Sequence, residues 1–337
     1  MRINRKIITL LALSFLLIVC VFIDLKECGK SINLLEAISK YLHKETNGTL
    51  SILIDIRLPK ALTAILTGAA LSVSGAIMQI VFKNPLAGPY VLGVSSGASL
   101  GVALITMFAS FTGLSIYALG HWTIGLIAVL GALFVMLAVV ALSNKINDST
   151  TILIIGVLFA SLTNAIISVL QYFSNPDSLK LFVSWTMGSL NTVTWPQLQI
   201  LLPISLICLT TSLFLSKKLD AMMLGEVYAT TMGINARRLR NICILITSVL
   251  SGLTTAFTGP IGFVGIAVPH LTRGLLNTTR HIYIIPGSIL NGAIILLICD
   301  FISQIANNGY TLPINAICAI IGAPIVTLVI LKNRKKA

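Results

Sequence analysis

Hydrophobic and polar positions alternate along this chain in long blocks rather than in short periods. Apolar runs cover about 7–23, 58–82, 90–110, 122–143, 150–172, 194–216, 240–259, 261–270, 282–304 and 313–331. A membrane-spanning helix needs roughly 20 apolar residues, so most of these runs are long enough to cross a bilayer. The run at 261–270 is too short and is crowded by Gly259, Pro260, Gly262 and Gly265. A broken helix at membrane depth is tolerated only where protein or a water-filled cavity covers it. The pattern predicts an all-α polytopic membrane protein of about ten transmembrane helices, forming a single transmembrane domain over 1–337 with the lipid bilayer as its solvent. The first run follows Arg2, Arg5 and Lys6 and is not followed by a small-x-small cleavage site, so it is expected to be a retained helix.

Three of the polar segments between the runs are sizeable. The first, the external segment 26–57, contains Ile32, Leu35, Ile38 and Leu42 at helical spacing, which predicts an amphipathic surface helix. The second, 174–193, ends near Trp185 and Trp195, residues suited to a membrane interface. The third, 217–240, is the only long loop on its side of the membrane, with helical propensity and breaks at Gly225 and Gly233.

Composition and charge sharpen the reading. Hydrophobic residues make up 56% of the chain and charged residues 10%, far below the ~25% charged of a soluble domain. The net charge of +13 is spread between apolar runs rather than gathered in a patch, so it marks topology and not a nucleic-acid surface. With ten crossings, sixteen of the Lys and Arg residues and three acids fall on the N-terminal side, whereas the other side is neutral. The positive side is expected to be cytoplasmic, with both termini there and the chain in the plasma membrane. The six cysteines form no CxxC pair and read as small apolar core residues, not as a zinc site or disulfide framework.

The densest information lies between Arg57 and Gly101. Arg57 and Lys60 flank Pro59, and Gly68, Ser72 and Ala76 then recur every fourth position. Such a stripe lets a second helix approach closely in lipid. Asn84 and Pro85 begin a break, and Gly97 sits in the small-residue run beyond it. The segments RLPK, GAALSVSGAIMQ, NPLAGPYVLGVSSGAS and GPIGFVGIAVPHLTR resemble, in order and spacing, the signature blocks of the FecCD family, the permeases of ABC importers for iron-siderophores, haem and vitamin B12.

That resemblance implies a type II ABC importer permease fold. It also implies a second permease subunit (the same chain or a different one), two cytoplasmic ATPase subunits and an extracytoplasmic substrate-binding protein. Leu224, Gly225, Ala229, Met232 and Gly233 match the family's ATPase-coupling segment, with Met232 replacing a Leu. Arg57 and Lys60 match cations that dock the binding protein. Gln304 stands where the family has an Arg, and Thr311 and Asn315 depart from its Glu-Leu-Pro-Val-Gly. Weaker docking through this subunit is therefore expected, which a heterodimer would explain.

Two further residues carry alternatives. Asp300 is the one acid within a late apolar run; it is either functional or a solvated or capped carboxylate. Pro269-His270 is expected to end the short 261–270 helix, with His270 serving as a helix-end hydrogen-bonding group rather than a metal ligand or proton relay. The chain has no GxxxxGK[ST], no HExxH and no catalytic pair, so it is expected to be a non-enzyme needing no cofactor and no metal. The favoured cargo is a ferric siderophore, with haem or cobalamin as alternatives and an ion-coupled secondary transporter as the rival class.

Overall fold

The computed structural model of the protein describes residues 5–27, 51–108, 120–146, 148–304 and 311–334. The amphipathic helix expected near 32–42 lies outside the described residues, as does Cys28. Among the described residues every regular element is helical. We number the α-helices α1 (Arg5–Glu27), α2 (Leu58–Val81), α3 (Val94–Phe108), α4 (His121–Lys145), α5 (Ser149–Phe173), α6 (Pro176–Thr186), α7 (Trp195–Phe214), α8 (Ser216–Met223), α9 (Glu226–Thr231), α10 (Ala236–Thr258), α11 (Val264–Leu276), α12 (His281–Ser303) and α13 (Ile314–Arg334).

All ten apolar runs fall on helices, but not all of those helices are full spans. Among the described residues, seven helical stretches are long and apolar enough to cross a membrane, and α3 and α13 contribute shorter apolar stretches. At 13 residues, α11 is well under the ~20 needed to span.

Local chemistry sets the helix starts. Asp148 accepts hydrogen bonds from the backbone N–H groups of Thr150 and Thr151, and Asn235 from that of Arg238. Gln197 Oε1 accepts from the Thr194 backbone N–H at 2.9 Å, the second half of a capping box. Pro59, Pro176 and Pro196 sit in the first turn, where a missing N–H removes nothing the helix would use.

Helix α2 is the centre of the packing. It lies against α7, α10, α11 and α12, and 21 of its 24 residues are buried. The stripe read from the sequence faces α12: a methyl on Gly68 would overlap the carbonyl of Gly292, and one on Gly292 would overlap Ser72 Oγ. Ala76 is also fully buried. A second contact, off the stripe, sets Gly75 against the carbonyl of Gly265 on α11. Gly97 locks α3 to α4 through Gly131 in the same way.

That second contact lets α11 pass the proline expected to end it. Helix α11 does not end at Pro269-His270 but runs through Pro269 to Leu276. A mid-helix proline removes one hydrogen bond and crowds the carbonyl four residues back. Here that carbonyl belongs to Gly265, which is turned toward Gly75, where no side chain resists it.

Neighbouring ends fix the topology. Lys6 Nζ lies 5.1 Å from the Tyr283 ring centroid, so α1 and α12 start at the same end, close to α8. At the opposite end α2 begins beside the last turns of α1 and α12.

Candidate functional site

The 217–240 segment is not an extended loop. It folds into α8 and α9, and its last five residues form the first turn of α10. The breaks fall at the two glycines. Gly225 has φ 123° and Gly233 φ 77°, values a Cβ disfavours, although a Cβ at either would meet nothing within 4 Å. The α8–α9 segment buries Leu219 and Met222 but turns other apolar side chains outward: Val227 is 81% exposed, Leu224 64% and Met232 59%. Ala229 is fully buried and anchors the underside. Behind it, Arg240 on α10 reaches Glu226 Oε1 at 3.6 Å and donates to the Ile146 carbonyl at 2.9 Å. An exposed apolar face on short polar-flanked helices is a surface built to be covered.

At the opposite end the structure brings Lys60, Asp300 and Gln304 together and gives Arg57 a separate partner. Lys60 Nζ lies 2.7 Å from Asp300 Oδ2, with both side chains almost wholly buried. Gln304 Nε2 donates to the same oxygen at 3.0 Å. Asp300 is thus neither solvated nor capped; it is half of a buried ion pair. Arg57, 5% exposed, donates to the carbonyls of Leu25 at 2.7 Å and Lys26 at 3.0 Å. It closes the C-terminus of α1, where a cation suits the helix dipole. Neither cation presents its charge outward as a docking surface would require. Asp300, Ser303, Thr311, Ser184, Ser189 and Asn191 line a polar cavity of about 190 Å³ beside the pair.

The 259–263 break is covered by protein. Tyr90 Oη accepts from the Ile261 N–H at 3.2 Å, and Asn315 Oδ1 from the Gly262 N–H at 2.9 Å. Asn315, a departure from the family pattern, therefore satisfies backbone that would otherwise be stranded. Gly259 (φ 73°) and Phe263 (φ 65°) absorb the turn, and Pro260 lies between them. Across the molecule His270 Nε2 contacts the Pro85 carbonyl at 2.7 Å, and Asn84 Oδ1 accepts from the Leu86 N–H at 2.9 Å. The 82–89 turn is thereby tied to α11. Arg273 donates to Gln79 Oε1 at 2.6 Å and ties α11 to α2 as well. Among the described residues no three His, Cys, Asp or Glu side chains converge where a metal ion could be held.

A sequence profile described as the FecCD transport family matches residues 16–332. The chain belongs to the FecCD transport family. It is an ABC-importer permease by family, a transport subunit and not an enzyme. The chain is similar to the vitamin B12 import system permease protein BtuC of Escherichia coli O9:H4 (strain HS), 34% identical over 285 residues covering 83% of this chain and 84% of that protein. It is also similar to the uncharacterized ABC transporter permease protein YvrB of Bacillus subtilis (strain 168), 36% identical over 288 residues covering 85% and 80%. Among solved structures, an inward-facing conformation of a metal-chelate type ABC transporter superposes with a TM-score of 0.83 at 29% identity, covering 96% of this chain and 98% of that one.

Within this family member, sequence reasoning missed Gly75 and Gly292, read Gly265 only as crowding the short run, and also missed the Glu226–Arg240 contact. The first of these lies off the stripe, and the other contacts join positions that no local spacing connects.

Proposed function

We propose that the chain is one of two permease subunits of an ABC importer in the plasma membrane. ATPase subunits cover the α8–α9 face, and an extracytoplasmic binding protein delivers a metal chelate to the opposite end. The observation that carries this reading is the outward apolar face of Leu224, Val227 and Met232 on a chain of this family. A surface of that kind at the end rich in Lys and Arg, cytoplasmic by the positive-inside rule, fits docking by a soluble ATPase. Hydrolysis there moves helices, and the pathway between permeases opens to each side in turn.

For the cargo, cobalamin takes precedence over the ferric siderophore expected from the sequence. One named relative, BtuC, is a vitamin B12 import system permease, and the similar solved structure is described as that of a metal-chelate type ABC transporter. The secondary-transporter alternative loses its main support, because Asp300 is already neutralised by Lys60 and needs no coupling ion. At the docking end, buried Arg57 and Lys60 support the surface from beneath, and the binding protein grips other groups. A different permease chain supplying the stronger half of that surface fits the loss of an Arg at Gln304.

The test is uptake of radiolabelled cyanocobalamin, ferric siderophores and haem in cells lacking the gene, complemented with wild type or Gly233→Arg. Loss of cobalamin uptake that only wild type restores is the expected result. Dependence of a siderophore instead moves the cargo; dependence of no chelate contradicts the proposal. A purified complex with two copies of this chain and no other permease contradicts the heterodimer.

A further inference from the structure

If α8 and α9 receive the ATPase, as that reading holds, their displacement must reach the membrane helices through fixed contacts. Asp220 on α8 makes such a contact. Its Oδ1 accepts twice from one residue of α12: from the His281 backbone N–H at 2.8 Å and from His281 Nδ1 at 2.6 Å. The backbone N–H is one of the donors a helix start leaves without an intrahelical partner. Arg280, the local N-cap residue, supplies no side-chain bond. Helix α12 therefore takes its cap from a side chain of another helix, and the carboxylate sits at the positive end of its dipole.

The imidazole geometry sets the kind of link. The His281 side chain is wholly buried, while that of Asp220 is 35% exposed. His281 Nε2 is buried without a hydrogen-bond partner. A ring protonated at both nitrogens would strand a second donor there, at the full cost of an unmade hydrogen bond. The neutral ring with the proton on Nδ1 fits the site: one N–H faces the carboxylate, and the other nitrogen faces apolar packing.

Beyond His281 the path continues through close contacts. Asn291 Nδ2 on α12 donates to Thr272 Oγ1 of α11 at 3.0 Å, and Gly292 abuts Gly68 of α2. Helix α11 then holds the 82–89 turn through His270 and Pro85.

We propose that Asp220 and His281 are the positioning pair that fastens the coupling segment to α12, so that a shift of α8 moves α12, α11 and the 82–89 turn together. The test uses the full complex purified with its ATPase subunits. Cys20 and Cys28 are replaced by Ser, and an environment-sensitive maleimide is attached through Leu86→Cys; ATP plus vanadate is the probe. In the otherwise wild-type complex the label responds to nucleotide. Asp220→Ala should reduce that response about tenfold, the scale of a lost hydrogen bond to a charged group, while ATPase co-purification is retained. Asp220→Asn, which keeps an acceptor, and His281→Asn, which keeps a donor near Nδ1, should restore most of it; a merely structural loss would not spare the response in this pattern. If Asp220→Ala does not reach the membrane, Asp220→Glu, which moves the acceptor one methylene outward, should show the reduced response. A full response in Asp220→Ala or Asp220→Glu with the ATPase bound overturns the pair. Absence of any ATPase from the wild-type preparation overturns the coupling reading itself, and the inference falls with it.

Discussion

Helix α2 and the α8–α9 segment both depend on glycine, for opposite reasons. In α2, Gly68 and Gly75 occupy a regular helix, and what forbids a side chain is the neighbouring backbone of α12 and α11. In the α8–α9 segment Gly225 and Gly233 have open space around them, and what forbids a side chain is the positive φ. The first arrangement removes distance between helices so that they pack and move together, and van der Waals packing of that kind holds membrane helices. The second lets the chain turn twice within 18 residues (216–233) and present Leu224, Val227 and Met232 outward. One region closes on its own chain, and the other turns apolar side chains away from it.

The contrast can be broken by substitution. Gly75→Leu should abolish folded protein in the membrane, because the added atoms fall on the Gly265 backbone; protease resistance of membrane fractions reads it. Asp300→Asn and Lys60→Met should each cost about 3–5 kcal/mol, as breaking a buried pair does, and the double variant Lys60→Met/Asp300→Leu should recover much of that in detergent melting. Gly68→Ala should cost about 1–3 kcal/mol by overpacking. Gly233→Ala should cost about 1–2 kcal/mol from its left-handed φ and Gly233→Asn less, with α2 packing untouched in both; equal losses at Gly68 and Gly233 for Asn would erase the distinction. The smallest effect belongs to Asp148, whose carboxyl is held below its usual range by the Thr151 hydroxyl and the Thr150 and Thr151 N–H groups. A depressed value stabilises the fold above the unfolded carboxylate pKa of about 3.9 and loses that support as pH falls through the folded value. Asp148→Asn, with one acceptor oxygen where the carboxylate uses two, should therefore lose this small support near neutrality, approach wild type in acid and flatten the pH dependence of thermal melting.

What the sequence made legible follows the same line. The helices of the α8–α9 segment were readable because their signals are local: polar flanks, helical propensity, and Gly225 and Gly233 at the breaks. The Gly68–Ser72–Ala76 stripe was readable as a period, but its partner Gly292 was not, because a period names a face and not what covers it. Gly75 escaped notice for the same reason. Pro269 was misread as a terminator because the room that lets the helix pass it is supplied by Gly75, far away in sequence. Lys60 and Arg57 read as surface cations, yet each is satisfied by a carboxylate or carbonyl of another helix. A buried pair between positions 60 and 300 leaves no trace in local spacing.

The measurement that bears most directly on the coupling role is co-purification of the ATPase subunit with this chain carrying Val227→Glu, read alongside chelate uptake. Val227 is 81% exposed, so the substitution spares the fold and puts a charge in the centre of the apolar face. A coupling role predicts normal amounts of protein in the membrane, with ATPase binding and uptake both lost. Full ATPase binding and full uptake in Val227→Glu would contradict it.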